Sequence, residues 1–195
     1  MVTLTCTPVS GWFWWTAQTH ATAKGKPVDS QCVAHGEAGR CDFYKCFEDR
    51  LPCGEQGYMI KYGQPYCARF ERVYTAFSPQ GQDFINGTSQ CLTRGLLHLY
   101  RTDTVDCHRL SHDAFDLISS CYSANGFCDV VKENAAVFAD VFQARHLFMH
   151  GALKIWKEIM EIIYQCNPDQ IHKFASFAIG ISNRLWNSGD SSGHS

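Results

Sequence analysis

Cysteine is the residue with the most chemistry to offer in this chain. Ten of the eleven copies, Cys32 to Cys166, are spaced by 9, 5, 7, 14, 24, 16, 14, 7 and 38 residues. An even set at wide intervals, with no CxxC pair, suits oxidation to disulfides better than a metal ribbon or a dithiol redox site. Five bridges are available, each typically contributing about 2–4 kcal/mol by restricting the unfolded chain. Cys6 is left over, either removed with a leader or an odd thiol. Histidine comes second: His108 with His112, and His146 with His150, stand at i, i+4, a spacing that can present two imidazoles to one metal ion. Neither pair has an HExxH glutamate or a third ligand at set spacing, so no metal is expected. GxSxG, Walker, GxGxxG and CxxC motifs are absent, which leaves nucleophilic, nucleotide and redox catalysis without a foothold and no catalytic residue or cofactor to name. The third chemistry is Asn86-Gly87-Thr88, the only N-x-S/T in the chain and a glycan acceptor in a secreted protein.

Helices must position these groups. Cys67, Phe70, Tyr74 and Phe77 recur at steps of three and four. Ser78-Pro79 then reads as an N-cap followed by proline at the first helical position. Phe84, Thr88, Cys91, Leu92, Gly95 and Leu99 form the stripe of that next helix, which ends in polar Arg101 to Asp106. Leu110, Ala114, Leu117, Ile118 and Cys121 make a further stripe, stopped by Asn125-Gly126. Phe138, Val141, Phe142 and Arg145 begin another. The strongest segment is Leu153, Trp156, Ile159, Met160, Ile163 and Cys166. After Asn167-Pro168 a last stripe runs through Ile171, Phe174, Ala178, Ser182 and Leu185. With no alternating β pattern of useful length, the expected fold is all-α, a disulfide-cross-linked helical bundle. Its domain spans residues 32–186, residues 1–31 form a leader or disordered segment, and 187–195 form a disordered tail. Asn86 belongs on the outer face of its helix, with Phe84, Thr88 and Cys91 inward. Cys107 and Cys121 lie on one helix about 21 Å apart along its axis, so each must staple that helix to something else.

The chain suits one domain: 195 residues, 45% apolar and 13% aromatic. A net charge of -2 points neither to nucleic acid nor to an anionic membrane surface. No run approaches the ~18 apolar residues of a membrane span. Ala21-Thr22-Ala23 would serve as a signal-peptide cleavage motif, yet Met1 to Gln18 carries no Lys or Arg and Pro8 and Gly11 interrupt the apolar stretch. Either a leader ends near Ala23 or the true leader is missing from this sequence. Secretion is expected from the cysteines and the sequon.

The intervals resemble those of the stanniocalcins, a family of secreted glycoprotein hormones. Six of the nine, 9, 5, 24, 16, 14 and 7, match the family pattern, and the other three are longer here. CDFYKCFEDRLPC from Cys41 to Cys53, FSPQGQDF from Phe77 to Phe84 and CYSANGFC from Cys121 to Cys128 carry the likeness, over roughly residues 32 to 166. The expanded stretch from Cys46 to Cys67 is more similar to invertebrate stanniocalcin-like proteins. The resemblance implies the pairs Cys32 with Cys46, Cys41 with Cys67, Cys53 with Cys107, Cys91 with Cys121, and Cys128 with Cys166. Spacing alone leaves hundreds of pairings open. The resemblance also implies a non-enzymatic regulator of calcium and phosphate homeostasis, whose partner is a cell-surface receptor or, since family members restrain pappalysin-type metalloproteases, an extracellular protease of that kind. The family's eleventh cysteine, downstream of the tenth, has no counterpart here, so a homodimer would be noncovalent or would use Cys6.

A remote alternative is a secreted phospholipase A2-like enzyme. His112-Asp113 lies on an expected helix, and Tyr62-Gly63-Gln64-Pro65-Tyr66-Cys67 resembles a calcium loop. That active site requires a Cys-Cys pair just before its His-Asp, where this chain has His108 and Arg109. It also requires glycines after the loop cysteine, where Ala68, Arg69 and Phe70 follow. Lys154, Lys157, Glu158 and Glu161 read as an ordinary solvated helix face, with Lys157 and Glu161 able to pair at i, i+4.

Overall fold

The structure, a computed structural model, describes residues 19–142 together with Ile159, Glu161, Ile162, Tyr164 and Cys166. The described residues form a helical bundle with one small β-ribbon. Its helices are α1 (Ser30–Ala38), α2 (Asp42–Arg50), α3 (Gln64–Arg72), α4 (Pro79–Tyr100), α5 (Cys107–Ala124), α6 (Phe127–Val130) and α7 (Ala135–Val141). A wide helical turn, Met59–Gly63, leads straight into α3, and a tight one, Tyr74–Ala76, follows it.

Helix α4 is the axis of the bundle, packing α1 on one side and α5 on another. Its start is built as the residue types demand. Ser78 is the N-cap, its Oγ accepting from Gly81 N at 3.2 Å, and Pro79 takes the first turn, where its missing N–H leaves nothing unsatisfied. Buried Asn134, just before α7, clasps the same corner: its Oδ1 accepts from Ser78 N and its Nδ2 donates to Ser78 Oγ and Val130 O. Helix α5 begins at the N-cap Asp106, whose Oδ1 accepts from Arg109 N at 2.8 Å; this bond holds the carboxyl below its usual range. The helix ends at Asn125, with Gly126 beyond it in the left-handed region at φ +75°.

Three expectations change. The stripe from Cys67 to Phe77 is not one helix, because α3 stops at Arg72 and Tyr74–Ala76 is a separate tight turn. Phe70 and Phe77 nevertheless meet, ring centroids 6.1 Å apart, within a cluster that includes Phe138 and Phe142. Helix α4 buries more than the expected stripe: Ile85, Thr93, Leu96, Leu97 and Tyr100 are also buried, since two neighbours cover it. Finally, the sequence places residues 1–31 ahead of the domain, yet the fold already includes residues from Thr19 onward. His20–Thr22 forms β1, antiparallel to β2 (Thr104–Asp106), with Ala21 opposite Val105. Two three-residue strands are too short to show an alternating pattern. Cleavage after Ala23 would remove β1, whose Ala21 is fully buried.

Buried Arg50 ties this ribbon to the bundle. Its Nη1 donates to Tyr100 O and Thr102 O, its Nε to Lys26 O, and its Nη2 meets Asp103 Oδ1 at 2.7 Å. One guanidinium thus satisfies carbonyls left open at the end of α4.

Ile159 and Ile162 are buried, and Cys166 is bridged to α6. The expected contacts of Leu153, Trp156, Met160 and Ile163, the helix from Pro168, His146 with His150, Arg145, Lys154, Lys157, Glu158, Cys6 and the tail 187–195 lie outside the described residues.

Candidate functional site

All ten cysteines of the ladder are bridged, in the five pairs that the resemblance implies. Cys32–Cys46 joins α1 to α2. Cys41–Cys67 ties the start of α2 to α3. Cys53–Cys107 brings the loop after α2 to the first residue of α5 and closes the widest separation of the four bridges within residues 32–121, 54 residues. Cys91–Cys121 joins the middle of α4 to the end of α5, with Cα atoms 5.7 Å apart. Cys128–Cys166 fastens α6 to the later helical residues. Each described helix from α1 to α6 therefore carries, or directly adjoins, a covalent staple to another element.

Among the described residues, those that could do solution chemistry are not gathered into a centre. His112 is exposed on α5, its Nδ1 3.1 Å from Asp116 Oδ2 and 4.0 Å from Asp113 Oδ1, while Arg109 Nε lies 3.8 Å from Asp113 Oδ2. Arg109 and Asp113 form a helix-surface ion pair, and His112 lies beside the same exposed carboxylates. The Tyr62 to Cys67 segment is helical, so its carbonyls bond along the chain and cannot wrap a cation as a calcium loop does. Gly63 is there for packing: a Cβ would fall 2.4 Å from the Tyr44 ring. Among the described residues, the one grouping with metal-ligand proximity is Cys41, Cys67 and Glu71, and both its sulfurs are spent in a disulfide.

An aromatic cavity of about 60 Å³ lies between α2, the turn at Met59–Gly63, α4 and α5, edged by Tyr44, Tyr58, Tyr62, Tyr66, Phe115 and Tyr122. It has room for a few waters. Burial pushes the hydroxyls of Tyr44, Tyr58 and Tyr122 far above the usual phenol range, and those of Tyr62 and Tyr66 up as well. Held neutral, these phenols behave as core side chains.

Asn86 stands on the exposed side of α4, its Nδ2 donating to Tyr74 Oη at 2.8 Å. It forms one wall of a groove of about 450 Å³ between the end of α1, α3 and α4. Composition and motif reading locate Asn86 on the outside but do not reveal the groove, because Tyr74, Gly39 and Gln90 come together only through helix packing. Of Lys154, Lys157, Glu158 and Glu161, only exposed Glu161 falls within the described residues.

Fold and bridges together define a cystine-locked helical domain. The family model of the stanniocalcin family matches residues 17–181, and the chain belongs to that family. The match extends past the cysteine ladder on both sides and takes in β1. No curated protein matches the chain. The family is one of hormones, with no known enzymes. Membership supports a stanniocalcin-like secreted glycoprotein, and five disulfides are consistent with an extracellular protein. No helix among the described residues is long and apolar enough to cross a membrane.

Proposed function

We propose that this protein is a secreted, non-enzymatic stanniocalcin-like glycoprotein that regulates calcium and phosphate handling by binding another protein, a cell-surface receptor or a pappalysin-type metalloprotease. The supporting observation is the contrast between its frame and its polar side chains. Disulfides fix the relative positions of helices α1 to α6, which lowers the ordering entropy lost on binding. His112, Asp113 and Asp116 instead sit with exposed side chains on a helix face. Asn86 carries the glycan in this reading.

The deciding experiment compares His112→Ala with Cys91→Ala/Cys121→Ala in ion-transport regulation and in pappalysin inhibition, beside phospholipid hydrolysis. The histidine variant keeps its activity, because an exposed substitution of this kind costs below ~1 kcal/mol. The cystine variant loses it. Calcium-dependent hydrolysis that disappears in His112→Ala would overturn the reading.

A further inference from the structure

We propose that the groove between the end of α1, α3 and α4 is a carbohydrate seat for the chain's own glycan: the first N-acetylglucosamine attached to Asn86 lies in it, against Tyr74. The proposal rests on the reading of the chain as a secreted glycoprotein. It goes further by assigning the sugar a fixed place on the protein.

One observation carries the seat, and a second carries the use of its acceptor. The acceptor nitrogen is already held at the groove wall, where Asn86 Nδ2 donates to Tyr74 Oη at 2.8 Å. Around it the groove combines apolar lining, Phe70 and Ile85, with polar rim groups, Glu71 and Gln90. A pyranose has the matching duality, with C–H faces that pack on apolar surface and hydroxyl and acetamide groups that hydrogen-bond. The volume of about 450 Å³ falls within the range of small-ligand sites.

Thr88 supplies the second observation. It is 5% exposed, and its Oγ1 is buried with no hydrogen-bond partner. Folding gives this hydroxyl no use, since valine would fill the same space without an unpaired polar atom. Its use lies earlier, as the hydroxyl of the sequon read in the unfolded chain. In the transfer, Asn86 Nδ2 attacks C1 of the N-acetylglucosamine of a lipid-linked diphospho-oligosaccharide. The N–C1 bond forms, and the C1–O bond to the diphosphate breaks with its electron pair leaving on the lipid diphosphate. The amide releases one proton, and nothing is oxidised or reduced. Nδ2 keeps its second proton, which remains available to Tyr74 Oη once the chain folds and the sugar settles into the groove.

The test uses the full chain secreted from a eukaryotic cell. Glycopeptide mass spectrometry first reads occupancy at Asn86. Thermal unfolding under nonreducing conditions then compares the intact glycoform, the protein trimmed by endoglycosidase to a single N-acetylglucosamine, and Asn86→Gln. The single sugar retains the Tm of the intact form, and Asn86→Gln unfolds about 2–4 °C lower. That gap shrinks when the comparison is repeated in Tyr74→Ala, and in Tyr74→Phe, which keeps the ring and removes only the hydroxyl. An occupied Asn86 with equal Tm in all forms, or a gap unchanged by both Tyr74 variants, overturns the seat and leaves the glycoprotein reading standing. An unoccupied Asn86 overturns both.

Discussion

Helix α4 is held on its two sides by different means. Against α5 the contact is covalent and aromatic: Cys91 is bridged to Cys121, and the Phe84 and Tyr122 rings meet edge to face at 5.3 Å. Against α1 no bridge is made, and the helices meet through backbone. Thr93 Oγ1 donates to Gly36 O at 2.5 Å, and a Cβ on Gly39 would lie 2.8 Å from Gln90 N. A disulfide tolerates a looser fit because it acts largely by restricting the unfolded chain. A backbone contact depends on the native fit itself. The first side can be stapled into place, whereas the second works only if small residues stand at the right positions.

The largest expected effect comes from the stapled side. Cys91→Ala/Cys121→Ala opens a loop of 30 residues, which in the chain-entropy account costs about 3–4 kcal/mol, and Tm falls by about 10 °C. Calorimetry of the oxidised proteins checks this. A loss below about 1 kcal/mol would show that aromatic packing alone holds α5 to α4.

Next comes Gly39→Ala on the backbone side. Gly39 is the C-cap of α1 at φ +77°, in the left-handed region that costs an L-residue about 1–2 kcal/mol. The added Cβ must also displace backbone of α4. A destabilisation of about 2–3 kcal/mol is expected from chemical denaturation, with all five disulfides intact by peptide mapping. A neutral variant would mean that the α1 and α4 contact relaxes freely and that the contrast between the two sides is false.

The two sides also differ in how legible they are. The α5-facing stripe shows in the sequence because Phe84, Cys91 and Leu92 are large or apolar and recur with helical period. The α1-facing side is carried by Gly36, Gly39 and Thr93, which no hydrophobic pattern distinguishes from a polar surface. Helix caps such as Ser78-Pro79 are readable because the signal is local. The pairing of the cysteines is not, since spacing cannot rank hundreds of connectivities and only the family pattern selects one. The candidate site divides in the same way: Asn86 is visible as a motif, but its contact with Tyr74 and its groove arise from α3 and α4 meeting in space.

The smaller effects come from two buried threonines of α4, of which the sequence places only Thr88 on the inward stripe. Thr93 Oγ1 donates to Gly36 O across the interface, and Thr93→Val removes that bond and leaves the carbonyl with one partner fewer. About 1–2 kcal/mol should be lost, measured by denaturant midpoint at unchanged m-value.

Thr88→Val should act in the opposite direction and by the least. Its hydroxyl is buried without a partner, so the native state carries the desolvation of that group with no bond in return. Replacing hydroxyl by methyl keeps the shape and removes the unpaired atom, which predicts a stability change between zero and about 1 kcal/mol in favour of the variant. The substitution also abolishes the sequon, so the comparison must be made on protein without glycan, for which Asn86→Gln is the proper background. In that background the effect of Thr88 belongs to the fold alone. A loss of more than about 1 kcal/mol would mean that the hydroxyl has a partner in the folded protein, such as water at the edge of the tyrosine cavity. It would then no longer distinguish Thr93, whose hydroxyl bonds within the fold, from Thr88, whose hydroxyl the fold leaves unpaired.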